Sequence, residues 1–237
     1  MSTYVLIHGS WHGAWCWDKV VSLLAKEGHT VVAPDLPGHG DDKTPVAKVS
    51  LRAYADRVCE VINIQSDPVI LVGHSMGGIV ITQAAEICPD NIQKLVFLTA
   101  FLLKNGETIH QYAQEDTEAL VLPNRVMSED KSYTTIKDGG ITQTFYTDCS
   151  DKDVERARSL LGPQATAPSL TPVKTTKENF GRIPRIYIEC LQDKAISPSI
   201  QKRMYTNLSC EKVISMDTSH SPFFSAPEEL VGHLLSL

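Results

Sequence analysis

The chain has 237 residues, 42% hydrophobic and 21% charged, and its 22 Lys and Arg against 28 Asp and Glu give a formal net charge of −6. That length and balance support one sizeable core and exclude a charge-rich disordered chain, while the absence of a dense basic cluster argues against nucleic acid as a partner. No apolar run is long enough to span a bilayer, and residues 1–7 carry neither a basic leader nor a cleavage site, so no membrane partner and a cytoplasmic location are expected.

The predicted elements alternate along the chain. Short Val- and Ile-rich runs at 4–8, 30–34, 69–73, 95–100, 186–190 and 213–216 read as strands, continuously apolar because both of their faces are buried. Amphipathic stretches at 17–27, 51–65, 78–88, 199–207 and 227–235 read as the intervening helices, the last with Pro227 in its first turn. Right-handed crossovers then give an α/β protein with a mostly parallel, doubly wound sheet. The rhythm breaks between residues 104 and 183, far longer than one crossover needs. This stretch is more polar and shows helical patterns near 107–120 and 151–161. It holds too many aromatic and aliphatic residues for a disordered linker, so an inserted cap, or lid, is expected there, with 1–103 and 184–237 forming the core domain.

The six cysteines (Cys16, Cys59, Cys88, Cys149, Cys190, Cys210) show no CxxC pair and no short Cys/His spacing. No zinc or other metal site is expected, and five of the six sit in apolar segments, where reduced thiols acting as small hydrophobes are expected.

The strongest chemical signal is Gly73-His74-Ser75-Met76-Gly77-Gly78, which follows one predicted strand and opens the next helix. A G-x-S-x-G in that context builds a turn so sharp that the Ser hydroxyl stands clear of its own backbone, which makes Ser75 the candidate nucleophile. A passive anion site at a helix N-terminus would explain the glycines but nothing further along the chain. A Ser hydroxyl needs a base, and the base needs an orienting group. His220 follows the last strand at the C-terminal edge of the sheet. His8 and His12 lie in the first strand and loop, His74 is adjacent to Ser75 and points away, and His29, His39, His110 and His233 fall at turns or solvent-facing positions. In the chain order Ser, Asp or Glu, His, the acid is Asp193, after the penultimate strand. Glu189 lies within that strand and Asp217 is too near His220, while the structural alternative for Asp193 is a turn residue capping the helix after Ser197-Pro198. Oxyanion donors are expected from the backbone N–H of Met76, after the nucleophile, and of Ser10, in the Gly-, Trp- and His-rich loop 8–15.

Taken together, Val5-Leu6-Ile7-His8-Gly9-Ser10-Trp11-His12-Gly13-Ala14-Trp15-Cys16-Trp17, Gly28-His29-Thr30-Val31, Pro34-Asp35-Leu36-Pro37-Gly38-His39-Gly40, the turn at Ser75 and the segments around Asp193 and His220 resemble the α/β-hydrolase fold. Within it they resemble the group of plant methyl-ester esterases and hydroxynitrile lyases with their bacterial relatives. The resemblance covers nearly the whole chain, most weakly at 104–183. It implies an α/β-hydrolase fold with about six strands, a triad of Ser75, Asp193 and His220, an oxyanion hole from Ser10 and Met76, and a pocket between sheet and cap. Lyases of this group carry Thr after the first-strand His and Lys after the catalytic His. Here those positions are Gly9 and Ser221, so the resemblance implies carboxylic ester hydrolysis with no cofactor, by a monomer or homodimer acting on a small-molecule ester. A lyase, or a small-molecule receptor that retains the triad, is the alternative.

Overall fold

A computed structural model describes residues 1–237. The first part of the chain runs β1 (Thr3–Ile7), α1 (Asp18–Lys26), β2 (Thr30–Val32), α2 (Leu51–Asn63), β3 (Val69–Ser75), α3 (Gly77–Ile87) and β4 (Ile92–Ala100). A long excursion follows, with α4 (Ile109–Glu115), α5 (Val121–Asn124), β5 (Arg125–Met127), β6 (Tyr133–Ile136), α6 (Ile141–Phe145), α7 (Asp151–Leu160), β7 (Gln164–Ala165) and α8 (Ala167–Leu170). The chain returns through β8 (Arg185–Cys190), α9 (Pro198–Asn207), β9 (Lys212–Met216), α10 (Pro222–Ser225) and α11 (Pro227–Leu235).

Six strands form one sheet in the order β2-β1-β3-β4-β8-β9, every neighbouring pair parallel. Because side chains alternate across a strand, an unbroken apolar run feeds two cores at once. Val5 and Ile7 of β1, Leu71 of β3 and Phe97 of β4 pack on one side with Tyr54 and Val58 of α2 and Val80 and Ala84 of α3. Tyr4 and Leu6, Val72, and Val96 and Leu98 pack on the other with Val20 and Leu24 of α1 and Leu230 and Leu234 of α11. Helices therefore cover both faces, and all the loops that follow strands meet at one edge. The helix starts are set locally: Ser50 accepts the Ala53 N–H, Ser197 accepts the Ile200 N–H ahead of Pro198, and Thr108 with Gln111 closes a capping box on α4.

Two features of the fold depart from the sequence-based expectations, besides the burial of His39 described below. The periodicity of 104–183 predicts helices only, whereas β5, β6 and β7 form a three-stranded antiparallel sheet there. Strands of two to four residues are too short to leave a readable alternation. The thiols are not all reduced: Cys59 of α2 and Cys88, just beyond α3, form a disulfide across these two packed helices, with Cα atoms 6.2 Å apart. Cys16, Cys149, Cys190 and Cys210 are free.

Candidate active site

Ser75 ends β3 with φ of +54°, a left-handed conformation that a non-glycine residue adopts only where its surroundings hold it there. The surroundings are tight. A Cβ at Gly77 would lie 2.8 Å from the Ile7 carbonyl oxygen, and one at Gly78 only 2.5 Å from that of Phe101, so the turn closes between β1 and β4 only because both positions lack a side chain. The Phe101 N–H in turn donates to Ser75 O at 3.0 Å, tying the turn to the end of β4.

His220 and Asp193 come from the loops after β9 and β8 and are both buried. The His220 Nδ1–H donates to Asp193 Oδ2 at 2.7 Å. Four further groups fix the carboxylate: the Ala195 and Ile196 N–H groups donate to Oδ1 at 2.6 and 2.9 Å, the Thr99 hydroxyl donates to Oδ2, and Gln201 Nε2 donates to Oδ2 at 3.5 Å. Thr99 sits at the end of β4 with φ of +38°, so a second left-handed residue aims its side chain into this site. The His220 loop is held from two sides. His74 Nε2–H donates to His220 O at 2.8 Å, and the Ser219 N–H and hydroxyl both donate to Asp148, which lies between α6 and α7. His220 Nε2 and Ser75 Oγ hydrogen-bond to no protein atom.

The structure thus brings Ser75, Asp193 and His220 to the same edge of the sheet, with Ser10 and Met76 flanking the turn. Met76 is the residue immediately before α3, at the positive end of the helix dipole, and neither its N–H nor that of Ser10 has a protein acceptor. Gly9 presses directly on the turn, for a Cβ there would lie 2.7 Å from Ser75 Cβ. Glu189 instead accepts from Ser215 and Tyr205, and Asp217 from Gln192, away from His220.

Four other histidines lie beneath the site. His39, expected at a turn facing solvent, is 3% exposed, because its Nδ1–H donates to His12 O and its Nε2 meets the Tyr54 hydroxyl at 2.9 Å. His12 Nδ1–H donates to Ser10 O at 2.7 Å and its Nε2 accepts from the Tyr146 hydroxyl, which holds the loop carrying Ser10. Burial pushes His12 down to about 3 and lowers His8, His39 and His74 as well, so these imidazoles act as neutral spacers with fixed tautomers. No group of three or more His, Cys, Asp or Glu side chains is arranged to hold a metal ion.

Above Ser75 lies an enclosed, mainly apolar cavity whose walls include Ser10, Trp11, Phe101, Ile109 and Phe145. Sequence reasoning missed Thr99, Asp148 and the walls other than the loop carrying Ser10 and Trp11. Thr99 had a readable signal, the one polar residue in the otherwise apolar run 95–100. Asp148 and the cavity residues depend on how 104–183 folds back over the sheet, which no local pattern records.

A model of the alpha/beta hydrolase family matches residues 4–233. Methylesterase 9 of Arabidopsis thaliana is 33% identical over 251 residues, covering 100% of this chain and 98% of that protein. Among solved structures, a pyrethroid hydrolase from Sphingobium faniae JZ-2 superposes with a TM-score of 0.89 at 27% identity, covering 99% of this chain and 96% of the other. Polyneuridine aldehyde esterase gives 0.89 at 25% identity, covering 100% and 98%. With sequence and architecture matched over almost its whole length, the chain belongs to the alpha/beta hydrolase family.

Proposed function

We propose that the chain is a carboxylic ester hydrolase that works through an acyl-enzyme on Ser75. The observation that carries this reading is the strained Ser75 turn at the same sheet edge as the buried His220–Asp193 pair, which is 2.7 Å apart. Ser75 Oγ attacks the ester carbonyl carbon while His220 Nε2 takes its proton, and Asp193 holds the ring by Nδ1–H and stabilises the imidazolium. The Met76 and Ser10 N–H groups receive the developing oxyanion. Collapse expels the alcohol, which takes its proton from His220. Water, deprotonated by the same imidazole, then releases the acid and restores Ser75. Residues 104–183 act as the cap that supplies the outer wall of the substrate cavity.

The names of the relatives, methylesterases and pyrethroid hydrolases among them, support small carboxylic esters as the substrate class. Lyase chemistry is disfavoured by the packing at Gly9. The threonine that the lyases place there would set its Cβ 2.7 Å from that of Ser75 in this backbone. The test is hydrolysis of p-nitrophenyl acetate by the purified protein and its Ser75→Ala variant. Wild-type turnover that the variant loses is expected, and equal rates in both proteins would refute the reading.

A further inference from the structure

Two buried oxygen atoms on opposite sides of the chain's excursion have no hydrogen-bond donor, and both belong to residues lining the cavity that contains Ser75. Asp116, directly after α4, is 8% exposed; its Oδ2 accepts the Ser197 N–H at 2.9 Å, while Oδ1 accepts nothing. Gln164, in β7, is 4% exposed; its Nε2 donates to the Tyr54 hydroxyl at 3.2 Å and to Ala165 O at 3.0 Å, while Oε1 accepts nothing.

The Gln164 amide cannot be turned over to hide that oxygen. Ala165 O requires a donor, so it must face the NH2 group. The Tyr54 hydroxyl is already directed to His39 Nε2, which accepts because His39 Nδ1–H donates to His12 O. The free acceptor is therefore fixed by a relay running from His12 through His39 and Tyr54 to Gln164.

An unmet acceptor among apolar neighbours is costly, and the most economical remedy in a binding cavity is a donor carried by the ligand. Arg125 is the only cation among the lining residues and forms no ion pair, but it is only partly buried, so water serves its guanidinium. Asp116 Oδ1 and Gln164 Oε1 belong to buried side chains, and no donor of the protein serves them. We propose that the cavity selects esters whose acyl or alcohol part carries a hydrogen-bond donor, a hydroxyl or a protonated amine, received by Asp116 and Gln164. The inference rests on the esterase reading for the bond that is cleaved, and on the cavity alone for the group that is recognised.

The test uses methyl hydrocinnamate and its para-hydroxy, para-aminomethyl and para-carboxy analogues. A hydrogen bond to a carboxylate or a buried amide that the plain ester cannot make predicts kcat/KM about tenfold or more higher for a donor-bearing ester than for the unsubstituted one. A larger gain for para-hydroxy marks a neutral donor as the preferred group, and a larger gain for para-aminomethyl a cation. Asp116→Asn keeps an acceptor for the Ser197 N–H and should remove most of the para-aminomethyl gain. Equal kcat/KM for all four esters, preference for the para-carboxy ester, which would assign the recognition to Arg125, or gains unchanged in Asp116→Asn would overturn the proposal. If Asp116→Asn does not fold, the wild-type comparison decides alone. Calorimetric binding of the same esters to Ser75→Ala separates the two readings. Donor-selective binding with no wild-type turnover of any ester would refute the esterase reading and leave the ligand class standing, and turnover without donor selectivity would refute the ligand class only.

Discussion

Replacing Gly9 with alanine adds a single carbon atom where the first-strand loop meets the Ser75 turn. That Cβ would lie 2.7 Å from Ser75 Cβ, 3.0 Å from His74 Nδ1 and 3.3 Å from His74 O. Carbon atoms in contact settle at about 3.5 Å or more, so the first-strand loop must withdraw by about 0.8 Å. The Ser75 turn cannot yield instead, because Gly77 and Gly78 already press on Ile7 and Phe101. The group carried away is the N–H of the next residue, Ser10. An ångström of displacement of a transition-state donor costs about a hundredfold in rate, so kcat for p-nitrophenyl acetate should fall by about that factor with KM little changed. The overpacking itself should cost about 1–3 kcal/mol, lowering Tm by roughly 2–4 °C for each kcal/mol. Steady-state kinetics and thermal unfolding of Gly9→Ala measure both effects. A folded variant whose kcat stays within about twofold of wild type would show that Ser10 is not an oxyanion donor and that loop 8–15 tolerates the added atom.

Thr99→Val keeps the β-branched shape in the same left-handed conformation but removes the hydroxyl that donates to Asp193 Oδ2. Hydrogen bonds to charged groups contribute about 1.5–3 kcal/mol, so kcat should fall roughly tenfold or more, and an unchanged kcat would show that the remaining donors suffice to place Asp193. Burial lowers the pKa of His8, His12, His39 and His74 relative to the unfolded chain, so between the ordinary imidazole range and about 3 for His12 the unfolded state binds more protons. Stability should therefore drop as pH falls from neutral to 5, each buried imidazole contributing up to about 1 kcal/mol per pH unit. Urea titrations that give a His12→Gln variant the same pH slope as wild type would contradict that role for His12. The Cys59–Cys88 bridge spans a sequence separation of 29, for which loop-closure entropy predicts about 3–4 kcal/mol. Cys59→Ser should show that loss against the oxidised protein, and equal stability would mean that the cross-link contributes nothing.

The parts of the site most legible in the sequence are those whose causes are local. The turn around Ser75 is written in Gly73, Gly77 and Gly78, because no other residue type fits where the strand folds back against β1 and β4. The four inner strands are legible because both of their faces are buried, as Tyr4 and Leu6 against Val5 and Ile7 show, and the less covered edge strands β2 and β9 are legible from their β-branched residues. Legibility fails where the cause is a meeting of distant segments. His39 resembles a solvent-facing turn residue until Tyr54 and the His12 carbonyl close over it, 15 and 27 positions away. Cys59 and Cys88 carry no pairing signal until α2 and α3 pack side by side. Asp148 and Gln164 lie in the stretch whose strands are too short to announce themselves, yet one holds the His220 loop and the other lines the cavity.

The central claim is that an acyl group passes through Ser75. Acid quenching during turnover of p-nitrophenyl acetate, followed by proteolysis and mass spectrometry, tests it most directly. One acetyl group on the peptide containing Ser75, absent from Ser75→Ala, is the predicted result. Turnover that leaves Ser75 unmodified while another residue carries the acetyl group, or that persists undiminished in Ser75→Ala, would contradict it.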